Sequence, residues 1–209
     1  MFAVCFAVLG CSVQAERFSV TVLSPEGNPV EHAVAALVPL DKSLIPEVST
    51  STPAVMDQID RQFSPYVLAI QAGEWVNFPN SDSIKHHVYS FSEAKSFQLR
   101  LYKDKPPEPL AFEKPGVVAL GCNIHDWMIG YIYVAESPWF GISDTSGEIT
   151  IEAPQGEYQL HVWHPLMKPA DLAREQNVTV ATSSQLAWTL QEALHSLTHD
   201  HLTDEFDEY

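Results

Sequence analysis

Val117-Val-Ala-Leu-Gly121-Cys122-Asn-Ile-His125-Asp-Trp-Met128-Ile-Gly130-Tyr-Ile-Tyr-Val134 is two apolar runs joined by a short polar loop. The first run predicts a strand over Val117 to Gly121 and the second a strand over Met128 to Val134. A hairpin of this kind places Cys122, His125 and Met128 on a single tight loop. A fourth candidate, His86, lies upstream, where an alternating run His86 to Phe91 begins.

One thiolate, two imidazoles and a thioether are the donors that a mononuclear copper electron-transfer site needs. Sulfur donors are soft and suit Cu(I), whereas imidazole suits either oxidation state. Two histidines and a cysteine in a trigonal plane, with a weak axial methionine, give that geometry. Zinc fits less well, because structural zinc sites rarely use methionine. Taken singly, each residue has a plainer reading. A lone Cys is a small buried hydrophobe, a lone Met packs a core, and a lone His sits on a surface or in a core. Their joint spacing is what points to one copper ion.

The 209 residues allow one large or two small domains. Residues 1–15 read as a signal peptide: Met1 to Gly10 is apolar and Val13-Gln14-Ala15 resembles a cleavage site. The run is too short to span a membrane, and it lacks the usual basic start. Lipidation at Cys11 in Leu9-Gly10-Cys11 is an alternative. No other apolar run is long enough to cross, so a periplasmic protein without a transmembrane segment in its mature chain is expected. Cleavage after Ala15 removes Cys5 and Cys11 and leaves Cys122 as the lone cysteine. In an oxidising compartment an unpaired thiol needs burial or a metal. The net charge of −16 excludes a nucleic-acid footprint. It serves solubility or steers the protein toward a basic partner.

Outside the hairpin, short alternating runs bounded by Gly, Pro, Asn and Asp predict an all-β fold. Phe18 to Val22 and Ala33 to Val38 are strands on either side of the turn Pro25 to Pro29. Residues 40–56 read as a linker or surface loop. A second block opens near Gln62, with strands Tyr66 to Ile70, Glu74 to Phe78, His86 to Phe91 and Phe97 to Tyr102. A third begins near Ser137, with strands Glu148 to Ile151, Tyr158 to Val162, Asn177 to Val180 and Leu186 to Leu190. Glu192 to Tyr209 is acidic, carries His195, His199 and His201, and reads as a frayed, solvated tail.

The middle block resembles the cupredoxins, the blue copper proteins, over about residues 60–135. Val76-Asn-Phe78-Pro-Asn80-Ser-Asp82 is similar to the family's strand and turn before its first histidine, and His86-His87-Val88 to the His-Asn-Val of plastocyanin and amicyanin. Cys-x-x-His-x-x-Met has the amicyanin length, and such proteins are often labelled methylamine-utilisation-like. The resemblance implies a Greek-key β-sandwich over residues 56–136 and one type 1 copper ion held by His86, Cys122, His125 and Met128. It implies His125 as the exposed electron exit. His87 stands where the family has an asparagine that helps hold the Cys loop. It could do the same or compete as a ligand; alternation sends the two to opposite faces, and with it the family match favours His86 as the one facing the metal. Asp126 and Trp127 replace the family's loop prolines.

Two outer pieces, Val20-x-Val22 with Gly27-x-Pro29-Val30, and Asp144-x-x-Gly147 with Gly156 to Pro165, resemble a transthyretin-like or carboxypeptidase-regulatory-like sandwich. This implies a second β-sandwich from residues 16–55 and 137–190, split by the copper domain, with residues 191–209 as tail. His161 and His164 within it are expected to pack rather than to bind. The function that follows is a one-electron carrier, not an enzyme, serving a redox protein such as a dehydrogenase or a cytochrome. A copper-delivery module without electron transfer and an interaction protein with a vestigial site are the competing readings.

Overall fold

A computed structural model describes residues 15–48, 52–103 and 107–196. The expected signal peptide, apart from Ala15, and the tail histidines His199 and His201 lie outside the described residues. Among these residues the chain is all-β except for a 3-10 turn, Lys42–Leu44, and a short α-helix, Pro169–Leu172.

The strands build two sets of sheets, each around its own apolar core. In the first, Ala15–Leu23 runs between Glu148–Pro154, antiparallel to it, and Ser184–Thr189, parallel to it. Opposite lie Phe140–Ile142, Val34–Pro39, Gly156–Trp163 and Glu175–Val180 in one four-stranded sheet. Side chains alternate across a strand, so Phe18, Val20 and Val22 turn inward to meet Ala35, Leu37, Leu160 and Trp188 in one cluster.

The second set carries the Cys loop. Its five-stranded sheet runs Val67–Gln71, Ile129–Ala135, Gly116–Cys122, His86–Phe91, Ser96–Tyr102. The smaller sheet is Leu110–Ala111, Trp75–Asn77 and Ala54–Val55. Between them lie Met56, Phe63, Val76, Phe78, Val88, Phe112, Val118, Leu120 and Ile132, together with Cys122 and Met128. The two candidate sulfur donors are therefore built into the wall of this core.

The strand leaving the Cys loop is held on both faces. Ile132 and Val134 enter the core. Tyr131 and Tyr133, on the opposite side, pack on Trp163 with ring centroids 5.8 and 5.7 Å apart. Burial pushes the Tyr133 phenol up to about 12. A Cβ at Gly130 would stand 2.7 Å from Cβ of Phe63, so only glycine lets that segment pass so close to the loop.

Most expected strands lie within a few residues of their observed bounds. The stretch 40–56 differs: it is not all loop, because Ala54–Val55 pairs in parallel with Trp75–Asn77 and Met56 is fully buried. Two paired residues carry no readable period, and the same holds for Phe140–Ile142 and the four-residue helix. The first residues of the expected tail make contacts. Gln191 and Glu192 donate their backbone N–H groups to the buried carboxylate of Asp171, and His195 N donates to Leu166 O at 2.8 Å.

Candidate metal centre

Pairing of Gly121 with Ile129 closes the hairpin, so residues 122–128 form its loop. Cys122 pairs with Val88 on the neighbouring strand, which brings His86 alongside. His86 and Val88, two residues apart, both turn inward by strand alternation, while the pairing with Ser96–Tyr102 shifts register between them. Three donor atoms, one each from His86, Cys122 and His125, lie within 4.8 Å of one another, and all three residues are buried. Metal–nitrogen and metal–sulfur bonds of about 2.0–2.3 Å place two donors no more than roughly 4.6 Å apart, so one ion can be shared with small closing movements. Met128 is buried beside Cys122 in the same core. Its backbone N–H donates to His125 O at 2.9 Å, which tightens the loop.

The rings are oriented for coordination. Nε2 of His86 lies 3.0 Å from Oδ2 of Asp82 and Nδ1 lies 3.7 Å from Sγ of Cys122. A carboxylate accepts, so Nε2 carries the proton and the lone pair on Nδ1 faces the sulfur. The hydrogen bond to His86 is the main force holding the Asp82 carboxyl below its usual range, and the backbone N–H of Arg61 adds to it. Nδ1 of His125 is buried with no hydrogen-bond partner. Buried polar atoms are nearly always paired, and an orphaned imidazole nitrogen beside a thiol and a second imidazole is what a metal ligand looks like without its ion. The donor set and the orphan nitrogen both fit copper.

The turn before His86 is itself fixed. Gln58, fully buried, donates to Pro79 O at 2.9 Å, and Asn80 donates to Ile84 O at 3.0 Å and Tyr102 O at 2.9 Å. Tyr102 donates to Phe78 O at 2.7 Å. Its phenol is pushed up to about 12, chiefly by burial, against the hydrogen bond with Gln58 and with the charge of Asp57 adding to the rise.

His87 stays out of the donor cluster. Its Nδ1 accepts from Nδ2 of Asn123 at 2.9 Å, and its carbonyl accepts from Asn123 N at 3.4 Å. It ties the Cys loop to the His86 strand. His125 departs from the expectation of an exposed exit. It is only 8% exposed, with the rings of Trp127 and His86 near it at centroid distances of 5.1 and 5.3 Å. His164 is buried and accepts from Leu166 N at 3.1 Å, in line with a packing role. Asp82 escaped the sequence reading except as a turn residue. Its position four before a candidate histidine is the one signal that could have marked it.

No protein-family model and no curated protein matches the chain. Among solved structures it is similar to a reduced amicyanin mutant, with 21% identity and a TM-score of 0.37 over 42% of this chain and 86% of that one. It is similar also to a purple cupredoxin from Nitrosopumilus maritimus, with 26% identity and a TM-score of 0.33 over 39% and 98%. A third is amicyanin from Paracoccus versutus, with 19% identity and a TM-score of 0.36 over 41% and 84%. These neighbours are cupredoxins, as the sequence resemblance anticipates.

Proposed function

We propose that the protein is an exported one-electron carrier that holds a single type 1 copper ion with His86, Cys122, His125 and Met128. The observation that carries the reading is the convergence of three buried donors on a point where Nδ1 of His125 has no partner. Copper, when bound, supplies a one-electron couple between Cu(I) and Cu(II). Cys122 supplies the thiolate, and its position in the apolar core keeps water and oxidants from the sulfur. Asp82 fixes the tautomer and aim of His86. Met128 would supply the fourth, weaker donor. Short local constraints on every ligand limit rearrangement between oxidation states, which suits an electron carrier rather than a catalyst.

Residues 56–136 would form the copper-holding unit, and residues 16–55 with 137–190 the second sandwich. Export to the periplasm rests on the apolar start Met1 to Gly10 and the Val13-Gln14-Ala15 site. Among the described residues no helix is long and apolar enough to cross a membrane. The partner would be a redox protein, a dehydrogenase or a cytochrome.

Copper titration of the full chain followed by visible spectroscopy tests the reading. One equivalent should give an intense blue charge-transfer band that Cys122→Ala abolishes. A colourless protein with tight Cu(I) binding would favour the delivery reading instead, and no stoichiometric copper would leave only a vestigial site.

A further inference from the structure

The small hairpin of Asp57–Ile59 with Gln62–Ser64 holds no candidate ligand, yet it touches both ligand-bearing segments. Its polar side meets the turn before His86. Asp57 accepts from Ser81 N at 3.1 Å and from Ser81 Oγ at 2.7 Å. Arg61 N donates at 2.8 Å to Oδ2 of Asp82, the same oxygen that lies 3.0 Å from Nε2 of His86. Its apolar side meets the strand that leaves the Cys loop, where buried Phe63 lies against Gly130. The tip of the hairpin is strained. Ile59 pairs with Gln62, so Asp60 and Arg61 are the whole loop, and both have positive φ, 51° and 60°. Two-residue loops of this hand favour Asn-Gly, because a side chain crowds the backbone there. Such strain persists where the surroundings over-determine it. Here the strained residue is the one whose N–H reaches Asp82.

We propose that the Asp57–Ser64 hairpin is a positioning element: through Arg61 N and the Asp57–Ser81 tie it holds the Asp82 carboxylate, so that the His86 ring keeps one tautomer and one aim. This role rests on the copper-carrier reading. Asp57 is a positioning residue that acts through Ser81 on the adjacent Asp82. The terminal torsion of an aspartate is broad and soft, so a single hydrogen bond to His86 would leave the carboxylate free to swing. A second donor on the same oxygen removes that freedom. The contact of Phe63 with Gly130 braces the Cys loop through the same piece of chain. Ligands whose supporting contacts are already locked need little movement to accept an ion.

Three full-length proteins decide it: the parent, Asp57→Ala and Asp57→Asn. Asparagine keeps an acceptor for Ser81 N and a polar partner for Ser81 Oγ. Both variants lose the same charge, so the difference between them reports the tie alone. In the metal-free proteins, the Nε2 proton of His86 followed by nitrogen-15 NMR should exchange with water about fivefold faster in D57A than in D57N, as loosening by one hydrogen bond requires. With copper added, competition against a chelator should give D57A a Cu(II) affinity about fivefold below that of D57N. Equal proton exchange in the two variants overturns the assignment, and so does equal Cu(II) affinity. If D57A does not fold, Ser81→Ala against Ser81→Thr carries the same comparison. A parent without copper or a blue band overturns the carrier reading, while proton exchange at His86 still decides whether the hairpin holds Asp82.

Discussion

Oδ2 of Asp82 lies 3.0 Å from Nε2 of His86 and thereby aims the other nitrogen of that ring at the sulfur of Cys122, 3.7 Å away. Outer contacts of this kind set both the tautomer and the basicity of a ligating imidazole. An ionised partner favours the more highly charged metal ion. Asp82→Asn should therefore weaken copper binding by about tenfold or more and raise the reduction potential. Competition titration against a copper chelator and protein voltammetry measure the two effects. Unchanged affinity and potential would remove Asp82 from the site.

His87 and Asn123 form the second tie between the Cys122 loop and the His86 strand. Loss of the 2.9 Å side-chain bond in His87→Ala leaves only the longer backbone contact at 3.4 Å. A charge-neutral hydrogen bond contributes about 1 kcal/mol, so amide exchange across 123–127 should quicken roughly fivefold in the metal-free protein. His87→Asn, which keeps an acceptor, should restore protection. Hydrogen exchange read by mass spectrometry distinguishes the variants.

His164 gives the protein a pH dependence away from the candidate metal centre. Burial, helped by the nearby His32, lowers its pKa to about 4. The neutral form is preferred in the folded chain, because Nδ1 already accepts from Leu166 N. A depressed histidine stabilises the fold fully above its unfolded pKa, roughly 6.5. That stability falls as the pH drops from there toward the folded value, since only the unfolded chain takes up the proton. The shift corresponds to about 3 kcal/mol at most. Urea denaturation of the parent between these pH values should show the slope, and His164→Asn should flatten it.

Asp171, fully buried, accepts the backbone N–H groups of Gln191 and Glu192 and so fastens the chain after its last strand. Asp171→Ala strands those two donors. Each unsatisfied buried group costs about 1–3 kcal/mol, so the variant should lose roughly 2–5 kcal/mol in chemical denaturation. The visible spectrum of the copper-loaded protein should not change.

Cys122, His125 and Met128 were readable because a hairpin loop is local: seven consecutive residues between two apolar runs can do little else than face one another. The alternating runs likewise exposed most strands, since period-2 burial is written into the chain itself. His86 was reachable by strand alternation, although alternation separates His86 from His87 without saying which one faces inward. That choice depends on the pairing of Val88 with Cys122, a tertiary fact. The carboxylate behind His86, the clamp of His87 on Asn123 and the cover of Trp127 over His125 arise between side chains whose meeting depends on backbone course and rotamer. Strands such as Ala15–Leu23 and Ser184–Thr189 meet across more than a hundred residues of chain. The sequence alone determined the donor chemistry and the β-periodicity. Only packing decided which donors lie buried, because burial is a property of neighbours brought together by the whole fold.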